Sequence, residues 1–128
     1  MAQQNVVITQ KRRQNLVKAS AGDITLPVIV GMAFGDGGVD GGGNVITPSD
    51  NQSTLNNELM RKAVDSHTFP TTTSCRYVCT LAEAELAGED ISEIGLYDSA
   101  GDIVAIKNFP SKGKVSDEKM TFTLDDTF

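Results

Sequence analysis

Tryptophan is absent from this sequence, tyrosine occurs twice and phenylalanine five times. Sugar-reading surfaces lean on aromatic platforms, so a receptor-binding tip is disfavoured. Cysteine is scarce too, with only Cys75 and Cys79. On a strand their Cα atoms would lie roughly 13 Å apart, and a disulfide needs less than about 7 Å. An intrachain bridge between them is excluded on that reading. No apolar run approaches the roughly 20 residues that span a bilayer. The first residues, MAQQNVVITQKRRQ, put apolar side chains before the bases and contain no secretory apolar core. Basic residues are outnumbered, 11 Lys and Arg against 17 Asp and Glu. The resulting charge of −6 argues against general binding to phosphate backbones. These shortages predict a protein made and kept in a cytoplasm, with neither membrane nor nucleic acid as partner.

What is present is a chain of 128 residues, enough for one domain or a domain with a detached arm. At 39% apolar content its core is modest, so partner contacts are expected to supply part of its stability. Charge is polarised along the chain. Lys11, Arg12, Arg13 and Lys18 fall in the first twenty residues with no acid among them. Between Leu81 and Asp102 stand Glu83, Glu85, Glu89, Asp90, Glu93, Asp98 and Asp102 with no base. Such asymmetry can steer packing between copies or onto a scaffold; two ordinary solvated faces would look the same.

Thr9 is suited to cap, and Gly22 to stop, a helix over residues 10–21. Its apolar stripe is thin, Leu16 and Val17 with the small Ala19 and Ala21, so it reads as an arm. In ITLPVIVGMAFGDGG, Leu26, Val28, Val30, Met32 and Phe34 fall on one strand face at period two. The other face holds Ile29, Gly31, Ala33 and Gly35, small enough for a close neighbour. Residues 35–48 read as a flexible loop. Ser53 or Thr54 could cap a short helix carrying a Glu58–Arg61 pair. Residues 62–69 and 74–82 read as strands around a turn at Pro70-Thr71-Thr72, with Cys75, Tyr77, Cys79 and Leu81 on one face. EIGLYD and DIVAIKNF flank Ser99-Ala100-Gly101, a hairpin signal, and Pro110 is expected to end that strand. Met120, Phe122 and Leu124 alternate with threonines in a last strand. The sum is α+β and mostly antiparallel: an N-terminal helical arm over 1–22, then a β-rich domain over 23–128 with five or six strands and one short extra helix.

Candidate chemistry is thin. A G-x-G-x-x-G nucleotide loop needs glycine where Asp40 stands, and no Lys-Ser/Thr pair follows. An EF-hand counted from Asp36 has Gly38 at its third position and Thr47 where a bidentate acid is required. A small ligand- or cation-binding module in the Gly35–Gly43 loop is the competing reading. Cys75, Cys79 and His67 are one ligand short of a closed zinc site. A turn centred on Thr71 would set His67 opposite Cys75, a nucleophile–base pair, though no orienting acid is evident beyond Asp65. No catalytic residue, metal or cofactor is therefore assigned.

From Phe34 onward the sequence resembles the phage tail-collar fibre family, the N-terminal domain of many tail-fibre proteins. Three stretches carry the resemblance: Gly35-Asp36-Gly37-Gly38, the TLNNELMR run after Pro48, and the hairpin EIGLYDSAGDIVAIKNFP. Its motif residues include Glu93, Gly95, Leu96, Tyr97, Asp98, Gly101, Asn108, Phe109 and Pro110. The resemblance covers roughly residues 10–111 and implies a non-enzymatic virion component attaching or adapting fibres to a tail baseplate. It also implies baseplate proteins as partners, self-association as a homotrimer, and assembly in the bacterial host cytoplasm. Family members usually continue into a shaft and tip, and this sequence stops at Phe128; the expectation is thus either an adaptor for a separate fibre protein or the remnant cap of a fibreless baseplate, in a phage or a phage-tail-like particle. Lys11, Arg12, Leu16 and Val17 are the expected docking arm. Phe122 and Leu124 lie on a terminal strand suited to adding to a partner's sheet.

Overall fold

A computed structural model describes residues 5–128; Met1 to Gln4, the start of the expected 1–22 arm, lie outside the described residues. Strand β1 (Val6–Ile8) leads into helix α1 (Gln10–Ser20), followed by β2 (Ile29–Gly35) and β3 (Glu58–Ala63). Then come β4 (Ser66–Thr71), β5 (Ser74–Leu81), β6 (Asp90–Asp98), β7 (Ile103–Gly113) and β8 (Met120–Thr127). Every pairing is antiparallel, and the strands form two sheets, β1-β7-β6-β2-β3 and β4-β5-β8.

This corrects the α+β expectation of five or six strands and an extra helix. The described chain is mostly antiparallel β, eight strands with one helix of 11 residues. The stretch expected to be the second helix instead becomes β3 and pairs with β2 from Gly31↔Ala63 to Gly35↔Glu58. A lone polar helix has no packed face to offset nucleation, whereas the open edge of β2 offers a ladder. Glu58 and Arg61 do pair, at 2.8 Å, but on a strand. The three β-branched residues of β1 form a strand the sequence reading did not assign. Pro110 does not end β7. It falls between the pairs Glu93↔Asn108 and Ile91↔Lys112, where the register shifts and the ladder needs no N–H from it.

The helix follows its caps. Thr9 Oγ1 accepts from the Arg12 amide, and beyond Ala21 the chain turns through Gly22 at φ +83°. Gly22 N–H donates to Ala19 and Asp23 N–H to Lys18, so the last carbonyls are satisfied.

Between the sheets lies the main core. Met32 and Phe34 from β2 and Ile94 and Leu96 from β6 meet Cys79 and Leu81 from β5 and Phe122 and Leu124 from β8. The Phe34 and Phe122 rings touch edge-on at 5.3 Å. On the opposite face of the large sheet, Ala33, Leu55, Ile103 and Ile106 form a smaller cluster. That is the small face of β2, and the close neighbours it admits are mainly side chains. Tyr97 occupies the space a side chain at Gly31 would need, and Glu93 with the Asn57 carbonyl occupies that at Gly35. Among the described residues, no helix is long and apolar enough to cross a membrane.

Candidate functional site

The motif stretches converge on one buried carboxylate. Glu93, on β6, has no exposed surface. Its Oε1 accepts from the Asn56 amide, and its Oε2 accepts from the amides of Gly37 and Asn57, each at 2.8 Å. Beside it the Gly38 amide donates to Ser92 Oγ at 2.9 Å. Asn108, on the adjacent β7, donates through Nδ2 to the Ile46 carbonyl at 2.8 Å. Three segments distant in sequence are thereby locked together, with Gly38 so close to the Ser92 carbonyl that a side chain would collide with it. Asn56 and Asn57 fall within the TLNNELMR stretch, but neither they nor Ser92 stood out individually in the sequence. Their roles rest on tertiary placement that no local pattern announces.

The same geometry accounts for the glycine loop. Its Gly37 and Gly38 amides point inward to protein oxygens, so they do not form an anion cradle. Asp40 accepts from the Gly42 and Asn44 amides at 2.9 Å, which holds its carboxyl below the usual range. Asp36 accepts from Asn57 Nδ2. Among the described residues, no three His, Cys, Asp or Glu side chains gather as a metal site.

The remaining motif residues shape the hairpin. Asp98 is buried and accepts from the Ala100 and Asp102 amides at 3.0 Å, while Gly101 sits at φ +87°. Arg61 donates to the Gly101 carbonyl at 2.8 Å and stacks over Tyr97, 4.8 Å from the ring centre. Gly95 lies under the Ala105 carbonyl and Leu55, close quarters that leave little room for a side chain. Leu96 and Phe109 are core residues, and Pro110 is exposed.

The cysteines and His67 do not assemble. Thr71↔Ser74 closes the β4–β5 turn, so it centres on Thr72-Thr73, and a register shift follows Thr68. His67 then faces Tyr77, while Cys75 faces Asp126 on β8. The expected His67–Cys75 opposition is thus replaced. Cys79 donates its thiol to the Ala63 carbonyl at 3.5 Å, and burial, reinforced by Asp65, pushes its pKa up to about 11. A thiol held protonated at neutral pH is a poor nucleophile.

The expected interface residues fall into different places. On α1, Lys11 and Val17 face outward, Val17 being 70% exposed, and Leu16 is half-buried. Arg12 points inward, donating to Asp126 at 3.2 Å and to the Pro27 carbonyl at 3.5 Å. Burial raises the Asp126 pKa, and Arg12 offsets this only in part. Arg12 thus fastens α1 to β8 and is not a free contact. Phe122 and Leu124 lie inside the core, so whatever β8 offers a partner comes from its backbone edge.

A family model described as phage tail-collar fibre protein, N-terminal, matches residues 1–123, nearly the whole chain. No curated protein and no solved structure matches.

Proposed function

The chain belongs to the phage tail-collar fibre protein N-terminal family, and we propose that within the tail it attaches fibres to the baseplate or adapts a separate fibre to it. Membership makes it a structural component of a bacteriophage virion tail that interacts with other tail proteins. Docking is assigned to the outer face of α1. The observation that carries this is the contrast across one helix: Val17 stands 70% exposed beside Arg13 and Lys18, with Lys11 also exposed, while Arg12 on another face is buried against Asp126. An apolar residue among bases, held on a fastened helix, presents a preformed surface and costs little ordering on binding. The exposed acids Glu83, Glu89 and Asp90 then face a neighbour, with the chain acting as a trimer assembled in the host cytoplasm.

Val17→Asp tests this assignment. It should lower the number of copies per purified tail by at least about tenfold, since a charge in a desolvated contact costs several kcal/mol. The melting temperature of the isolated chain should not move. Wild-type incorporation of the variant would refute docking through α1.

A further inference from the structure

Four strand edges border the two sheets, and three are protected. β3 carries Glu58, Arg61 and Lys62 along a bulged ladder. β4 contains Pro70 and a register shift. β1 is only three residues long. Charge, proline, bulges and brevity are the devices that keep sheet edges from recruiting other chains. β8 has no proline, no bulge and full length along its ladder, and its two charges, Asp125 and Asp126, are paired with Arg76 and Arg12 of the same chain. It pairs with β5 over eight unbroken positions, from Ser74↔Thr127 to Leu81↔Met120, and among the described residues its other edge is open.

The direction of the open groups follows from single hydrogen bonds. Phe128 N–H donates to the Thr73 carbonyl, so alternate residues of β8 aim their backbone at β5. Thr121, Thr123, Asp125 and Thr127 therefore aim theirs away. On β1, the Asn5 carbonyl accepts from Asn108 and Thr9 N–H donates to Val104, which leaves Val6 and Ile8 aimed outward. Asp125 and Thr127 of the first set and both members of the second face one groove. Val6, Val7, Ile8, Asp125 and Thr127 all line a cleft of about 730 Å³ with Phe128, 63% exposed, at its lip.

We propose that this groove receives a single extended strand donated by a neighbouring tail protein, hydrogen-bonded along β8 with β1 opposite. The inference rests on the tail role proposed above. Repeating amides and carbonyls on a strand edge match only another extended backbone. The donated segment is uncharged where it lies in the groove, because the charges there are already paired. Arg13 holds Asp50 at 3.3 Å, and Arg76 holds Asp125 at 2.9 and 3.2 Å. A second copy's β8 does not suit a groove with both walls from one chain, since it brings β5 bonded along its length.

The test is hydrogen exchange of the 121–128 segment in the isolated chain and in purified tails. Exchange of the Asp125 and Thr127 amides should be fast in isolation and at least about 100-fold slower in tails. Thr127→Pro removes an outward N–H without touching the β5 ladder and should abolish that protection, whereas Thr127→Ala should retain it. If the chain is present in tails but exchange stays fast, the groove is empty and the inference falls while the tail role stands. Absence of the chain from tails removes both. Protection in the isolated chain that grows with concentration would identify a second copy as occupant and overturn the proposal, as would equal loss in both variants.

Discussion

The two sheets of this domain are built to different standards. In the five-stranded sheet both faces are covered, one by the intersheet core and the other by the Leu55 cluster, and its buried acids Glu93 and Asp98 each accept backbone amides. In the three-stranded sheet all six residues of β4 are exposed, Phe69 is 72% exposed, and β8 leaves an edge unpaired among the described residues. A region whose buried acids are held by its own backbone amides specifies a fold. One with open edges and uncovered apolar surface is available for contact. Stability and interaction are thus divided between the sheets, and mutations should separate them.

The largest effect is expected at Glu93. Glu93→Ala leaves the amides of Gly37, Asn56 and Asn57 without their acceptor. At roughly 1–3 kcal/mol for each unsatisfied buried group, the loss should be about 5 kcal/mol, read as urea denaturation at a lower midpoint. A loss below about 1 kcal/mol would mean that water replaces the carboxylate and that the cage does not stabilise the fold.

Arg12→Ala comes next, at about 3–4 kcal/mol, because it strands a buried carboxylate. Here pH gives a signature. The folded-state pKa of Asp126 already lies above the ordinary 3.8, so the folded chain binds more protons than the unfolded one from that value upward. Stability from this group therefore falls as pH rises through that window, and removing Arg12 enlarges the fall. Melts between pH 4 and 8 should show the variant recovering toward wild type in acid, and Asp126→Asn in the same background should flatten the curve. A parallel pH profile for variant and wild type would show that Arg12 does not compensate Asp126.

What the sequence made legible is local. The Thr9 cap, the Gly22 stop and the Asp98–Gly101 turn need only neighbouring residues, and each is found where expected. What stayed hidden depends on distant partners. Glu93 reads as one more surface acid, because its three donors come from residues 36 to 56 positions away. Arg12 reads as part of a basic arm, since nothing nearby hints at Asp126. Alternation identified the apolar face of β8 correctly, but alternation does not say whether a second sheet or another protein covers it. Glu58 and Arg61 misled for a related reason: a spacing of three suits a helix surface, and the ladder with β2 decided otherwise.

The smallest expected effect sharpens the contrast most. Phe69 and His67 touch edge-on at 5.6 Å, and His67 faces Tyr77 across the ladder, so Phe69 extends the inner face of the small sheet past the core. Removing a side chain that stays 72% in water sacrifices little buried area. Phe69→Ala should therefore change stability by no more than about 0.5 kcal/mol. The same truncation at Phe122, in the core against Phe34 and Phe109, should cost about 3–5 kcal/mol. Paired denaturation curves of the two variants measure the division between the sheets directly. A cost at Phe69 approaching that at Phe122 would mean that its face is covered in solution, which makes the small sheet part of the stabilised core and removes the contrast drawn from its exposure.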